Sequence, residues 1–189
     1  MGNVQYYCAS SLDGYIAEAD DTLDWLTGYE GSYDGDDAAA ARGYDEFYAG
    51  VGALVMGSVT YRFILDHVAG NGGWPYEGKP CWILSSRQLP LPEGEAVDVR
   101  VVEAPVGDLH DEMVAAAGER SLWVVGGGNV ASQYADAGLL DEVLVTVVPV
   151  VLGDGKPLFD RRLPHGPMQL TGAVPRASGM VELRYEVRR

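Results

Sequence analysis

The apolar positions of this 189-residue chain fall into short, uninterrupted runs set between stretches of helical spacing. Runs at 53–57 (ALVMG), 81–86 (CWILSS), 98–104 (DVRVVEA) and 121–125 (SLWVV) are too short for helices and read as buried strands. Residues 4–10 predict a first strand, followed by the turn pair Asp13-Gly14, and 141–152 predict a long one. Between these, 36–50, 58–68, 106–118 and 129–138 have helical spacing. Ser58 stands as the N-cap of the second helix, Asp108 lies near the start of the third, and glycines follow the first, third and fourth. Residues 17–37, rich in Gly and Asp, predict a long surface excursion, and 70–80 a loop. Two strand-like runs after Met168, joined through PRASG, predict a closing hairpin.

Short apolar strands alternating with helices define an α/β domain on a largely parallel sheet, and the hairpin makes that sheet mixed. No internal repeat and no linker divides the chain, so one domain is expected over residues 1–189.

Charge narrows the function. With 28 acidic against 13 basic residues the net charge is −15, and no basic cluster appears beyond the RR pairs at 161–162 and 188–189. A nucleic-acid partner is not expected. An anionic ligand is repelled at long range, so its site must supply local cations or oriented N–H groups. No run approaches the ~18–20 apolar residues of a membrane span, and the N-terminus lacks a basic lead and a hydrophobic region. The expected location is the cytoplasm, with no membrane partner. Cys8 and Cys81 have no CxxC partner, and His67, His110 and His165 are isolated, so no metal site is expected.

Gly126-Gly127-Gly128 follows an apolar strand and precedes a helix. With Asn129, Val130 and Ala131 it satisfies G-x-G-x-x-[GA], yet no acid stands at the tip of the next strand, so the ribose half of a Rossmann site is missing. An NAD-linked Rossmann dehydrogenase is therefore disfavoured. A strand, a glycine turn and a helix start still gather unpaired N–H groups at one point, which suits a phosphate. The competing reading is a tight turn alone. Two further strand ends match the first: Gly57-Ser58-Val59-Thr60, and Ser85-Ser86-Arg87, with two hydroxyls and a guanidinium. Three such turns beyond strand ends fit one long, multiply phosphorylated ligand, and NADPH is the cofactor expected.

The blocks ASSLDGYIA, DWL, YDEFYAGVGALVMGSVTY, ILSS and VVGGGNVASQYADAGLLDEVLVTVVPVVLGDGKPLF resemble the dihydrofolate reductase-like superfamily. They are most similar to the branch holding the reductase domain of the riboflavin-biosynthesis deaminase–reductase and its stand-alone relatives. The resemblance implies a three-layer fold: a central, mostly parallel mixed sheet with an antiparallel C-terminal strand and helices on both faces. It implies an NADPH-dependent reductase passing a hydride to a small heterocycle, carbonyl or imine. Ala9 and Ile16 would border the nicotinamide. Gly57, Ser58, Val59 and Thr60 would hold the phosphates from one side, and Gly126, Gly127, Gly128, Asn129 and Val130 from the other. Ser85, Ser86 and Arg87 would take the 2′-phosphate. Cys8 and Cys81 would lie on strands that are not neighbours, too far apart for a disulfide. The branch often dimerises, and the apolar C-terminal strands suit a homodimer.

The departures concern substrate. Val125 stands where the riboflavin-pathway reductases carry a glutamate, and Tyr15 where they carry a basic residue. The helix register that holds a carboxylate in dihydrofolate reductases falls here among alanines. Both a riboflavin-pathway pyrimidine reductase and a true dihydrofolate reductase are thereby disfavoured. Asp13, in the loop expected to cover the nicotinamide, is the candidate catalytic carboxylate, set against a plain Asp-Gly turn role. Asp24, Trp25, Tyr44 and Tyr61 are candidates for the substrate pocket, with Trp25 able to stack on a flat acceptor. The alternative to an enzyme is a nucleotide- or ligand-binding domain of the same fold without turnover.

Overall fold

The computed structural model describes residues 2–29, 38–68, 73–164 and 166–188, with the side chains of 38–42 outside that description. Strands β1 (Val4–Ser11), β3 (Val51–Gly57), β4 (Cys81–Leu84), β5 (Val99–Val102), β6 (Ser121–Gly126), β7 (Glu142–Val148), β9 (Gln169–Pro175) and β10 (Val181–Glu186) form one eight-stranded sheet. Its order is β5-β4-β3-β6-β1-β7-β10-β9. The first six in that order run parallel, and β10 pairs antiparallel with both β7 and β9. A small second ladder joins β2 (Tyr15–Ala17) to β8 (Lys156–Pro157).

Burial explains the pattern read from sequence. Val51 to Met56 are all buried, because β3 is central and has helices on both faces. On one face α4 (Val106–Ala117) and α5 (Gly128–Asp136) pack Val106, Met113, Ala131 and Tyr134 against Tyr6, Val55 and Trp82. On the other, α2 (Ala38–Ala49) and α3 (Ser58–Phe63) cover Tyr7, Leu54, Met56 and Trp123. The neighbours Tyr6 and Tyr7 thus face opposite layers, as the period of two in a strand requires. A third cluster forms where α1 (Asp24–Thr27) sets Trp25 against Val148 and Met180. Among the described residues no helix is long and apolar enough to cross a membrane.

Three expectations are corrected. Ser58 is the first helical residue and Gly57, in extended conformation, is the N-cap, because β3 runs into α3 with no intervening residue. The helix expected over 58–68 holds α geometry only to Phe63 and finishes as a π-helical turn, Ile64–Val68. The strand expected over 141–152 stops at Val148, since Pro149 has no N–H for the ladder. The helix start expected at 36, and residues 30–37 of the polar excursion, lie outside the described residues. Cys8 and Cys81 are free, on β1 and β4, with β3 and β6 between them.

Candidate active site

Because β4, β3, β6, β1 and β7 are parallel neighbours, their carboxyl ends line one edge of the sheet. The three turns singled out in the sequence therefore sit side by side: Ser85-Ser86-Arg87 beyond β4, Gly57-Ser58 beyond β3, and Gly126-Gly127-Gly128 beyond β6. Gly57 is in register with Leu84, and Met56 with Gly126. This is the edge at which open α/β sheets place their ligands.

The three adjacent glycines have three different reasons. Gly126 has φ +149°, which side chains rarely adopt. A Cβ on Gly128 would run into the carbonyl oxygens of Pro157 and Leu158, because β8 crosses directly over the start of α5. Gly127 differs: beyond its chain neighbours, the described residues leave room for a Cβ. Its backbone is extended, and a Cβ there would meet only Ile16 Cδ1 at 3.7 Å and Thr60 Oγ1 at 4.0 Å. The small gap over Gly127 lies beside the first turn of α5, where helix N–H groups are unpaired by the helix itself. That combination fits a phosphate, as well as the close approach of a cofactor.

The geometry gathers several expected cofactor residues and assigns others to the fold. Ile16, Thr60, Gly126 and Gly127 converge, and Val130 Cγ2 packs beneath Gly57. Val59 is exposed beyond β3. The Asn129 side chain is engaged within the protein: it donates to Asp160 Oδ2 (2.6 Å) and accepts from Gln133 (2.7 Å). What remains to it for a ligand is its backbone. Ser85 Oγ accepts the Arg87 N–H (3.0 Å) and donates to the Arg87 carbonyl (3.1 Å), closing a local turn. Ser86 and Arg87 are exposed, and Arg87 forms no ion pair among the described residues.

Across β1, β7 and β10 the register aligns Ala9, Thr146 and Glu182 in one row on the α2 face. Thr146 and Glu182 are buried polar residues that the sequence reading passed over as ordinary strand positions. Glu182 takes a guanidinium from each side, Arg176 at 2.8 Å and Arg184 at 2.9 Å. Arg176 lies against Gly43 of α2, where a Cβ would stand 2.7 Å from Nη2. A glycine inside a helix and a Glu in an alternating strand were the available signals.

The substrate-pocket candidates divide. Trp25 is buried with Ala9, Val148 and Met180 nearby, and its indole N–H has no partner among the described residues. Asp24 is exposed at the start of α1. Tyr44 stacks on Tyr48 (centroids 5.9 Å, 7°) in an aromatic group with Tyr7, Phe47 and Trp123. Tyr61 is a correction: it is fully buried in the core and its hydroxyl donates to the Pro90 carbonyl (2.6 Å), so it lines no pocket. Burial pushes its phenol up to about 12.

Asp13 is exposed, and its carboxylate is hydrogen-bonded to the two loops beside it. Its carboxylate accepts from Ser11 Oγ (2.7 Å), Leu152 N–H (3.1 Å) and Gly153 N–H (2.7 Å). The Ser11 hydroxyl first, and then the Gly153 N–H, hold its carboxyl below the usual carboxylate range.

Sheet order, the antiparallel C-terminal hairpin and the helix layers define a dihydrofolate reductase-like fold. The dihydrofolate reductase of Enterococcus faecalis, solved with NADP(H), superposes with a TM-score of 0.61 at 15% identity, covering 99% of this chain and 97% of the other. Within that fold the chain belongs to the RibD C-terminal domain family, whose model matches residues 3–181. A structure from Shewanella sp. PV-4, named for riboflavin biosynthesis, is 28% identical with a TM-score of 0.80 over all of both chains. The uncharacterized protein YwjB of Bacillus subtilis (strain 168) is 30% identical over 182 residues, 95% of this chain and 94% of its own. The riboflavin biosynthesis protein RibD of Corynebacterium ammoniagenes is 26% identical over 90% of this chain, which spans 50% of that protein's length.

Proposed function

We propose that the protein is an NADPH-dependent reductase that passes a hydride to a small heterocyclic, carbonyl or imine acceptor. The observation that carries this reading is the alignment of three phosphate-compatible turns along one sheet edge, with Ile16 and Thr60 meeting over Gly127. The fold shared with a reductase solved with NADP(H) supports it. When bound, NADPH supplies the hydride. The first turn of α5 and the backbone at Gly127 hold the pyrophosphate, with Thr60 alongside, and Ser86 and Arg87 hold the 2′-phosphate. Ala9 and Ile16 flank the nicotinamide, and Trp25 closes the acceptor side.

Hydride transfer depends mainly on placement of the reacting carbons and exclusion of water. Asp13 already accepts three hydrogen bonds and is held in its ionised form, so this reading draws the proton from solvent. Val125 and Tyr15 argue against a ribosyl-phosphate acceptor. NADPH oxidation followed at its nicotinamide absorbance against carbonyls, imines and pterins tests the proposal. Acceptor-dependent oxidation is expected. Tight NADPH binding with no oxidation across the panel would favour a ligand-binding domain without turnover.

A further inference from the structure

Resting on the reading of the sheet edge as a cofactor site, we infer that Asp13 is a positioning residue. Its carboxylate pins the loop after β1 to the loop after β7, and thereby holds Ile16 over Gly127. The two loops leave adjacent strands, paired up to Ser11 and Val148, and Leu12 N–H donates to the Val150 carbonyl (2.8 Å). The carboxylate adds contacts further along, at residues 139 and 140 positions away in the chain.

The connection can be followed bond by bond. Asp13 Oδ1 accepts from Ser11 Oγ and from Leu152 N–H, and Oδ2 accepts from Gly153 N–H. Ser11 Oγ in turn accepts the N–H of Tyr15 at 2.9 Å. Tyr15 opens β2, whose ladder with β8 pairs Tyr15 with Pro157 and Ala17 with Lys156. Leu158 N–H donates to the Gly14 carbonyl (2.9 Å), and Lys156 Nζ lies 3.5 Å from Asp21. The far end of this unit meets the glycine turn twice. The Pro157 and Leu158 carbonyl oxygens occupy the space a Gly128 Cβ would need, and Ile16 Cδ1 stands 3.7 Å from where a Gly127 Cβ would be. The carboxylate thus braces the Leu152–Gly153 corner of a frame whose opposite side touches the proposed pyrophosphate cradle.

A proton donor needs an oxygen aimed at the acceptor and a carboxyl that holds its proton at working pH. Asp13 has both oxygens turned to N–H and O–H donors of its own loops, and those donors favour the charged form. Its chemistry is that of a strong acceptor that orders backbone, not of an acid.

The test compares Asp13→Asn and Asp13→Ala with wild type by NADPH titration, steady-state kinetics and amide hydrogen exchange. Losing charge-assisted bonds to the pinned loop should weaken NADPH binding about tenfold or more in D13A, with a smaller loss in D13N, which keeps one acceptor. KM for NADPH should rise with that loss while kcat with the best acceptor changes less than about threefold. Exchange at the amides of Tyr15, Leu152 and Gly153 should accelerate while amides of β3 and β6 stay protected. Loss of kcat by about a hundredfold or more at unchanged NADPH affinity would overturn the inference and make Asp13 a proton donor. Unchanged affinity and unchanged exchange in folded D13N would also overturn it. Should D13A fail to fold, D13N carries the comparison. A wild-type protein that binds no NADPH would count against the cofactor reading instead, and the exchange pattern would still decide whether Asp13 joins the two loops.

Discussion

An alanine at position 128 would drive its Cβ into the Pro157 and Leu158 carbonyls, which are backbone and have no rotamer in which to escape. G128A should therefore lose about 1–3 kcal/mol or more of stability, as overpacked sites do. Next door, a Cβ at 127 would meet only ordinary contacts beyond its chain neighbours, so, compared with G128A, G127A should lower the melting temperature clearly less. Its methyl fills the space assigned to the cofactor, so NADPH binding should fall about tenfold or more, equivalent to ~1.4 kcal/mol. Paired thermal melts and NADPH titrations check both. Equal loss of stability in the two variants would mean that the turn, and not a ligand, set all three glycines. The cysteines give a second check at this scale. Burial pushes the Cys8 thiol up to about 12 and raises Cys81 as well. Since the thiolate is the reactive form, neither should react with a thiol reagent at pH 8 in the native protein, and both should react after denaturation. Fast native labelling would contradict the burial of Cys81 and the raised thiol of the half-buried Cys8.

The sheet was largely legible because most of its strands are buried on both faces and so read as unbroken apolar runs. Val51 to Met56 and Cys81 to Ile83 could hardly be anything else. Boundaries were less legible where two local signals competed. At 141–152 the apolar run continues past Pro149, and only the missing N–H marks the end of β7. At 58–68 an uninterrupted helical pattern conceals the change from α to π geometry after Phe63. The adjacency of the candidate turns was legible where they are strand ends, since parallel order alone brings Gly57, Ser85 and Gly126 together. It was illegible where side chains choose between solvent and core. Tyr61 follows Thr60 by one residue, yet it points inward to the Pro90 carbonyl. The polar row of Thr146 and Glu182 depended on a β7–β10 register that no sequence pattern reveals. At this scale the proposal places the cofactor preference on the exposed turn after β4. Arg87→Ala should weaken NADPH binding about tenfold or more while leaving NADH binding unchanged. Equal effects on the two cofactors would move the 2′-phosphate away from this turn.

For the whole molecule, a net charge of −15 would oppose the approach of the proposed anionic cofactor to the sheet edge. The Debye length shortens from ~30 Å at 0.01 M salt to ~8 Å at 0.15 M, which screens the distant acids more than a contact at Arg87. The NADPH association rate should therefore rise over that range. A fall would show that local cations dominate the field at the site. The fold and the family leave the acceptor open, and the close relative YwjB does not narrow it. Cofactor binding is thus the claim on which the remainder rests. It is tested most directly by thermal melts of the wild-type protein with no nucleotide, with saturating NADPH, and with NADH at the same concentration. At 100 times its dissociation constant a ligand adds ~2.7 kcal/mol, or about 5–10 °C for a chain of this size. A shift of that size with NADPH, and little with NADH, is the result predicted. No shift with either nucleotide would contradict the account and leave the glycine turn a matter of folding alone.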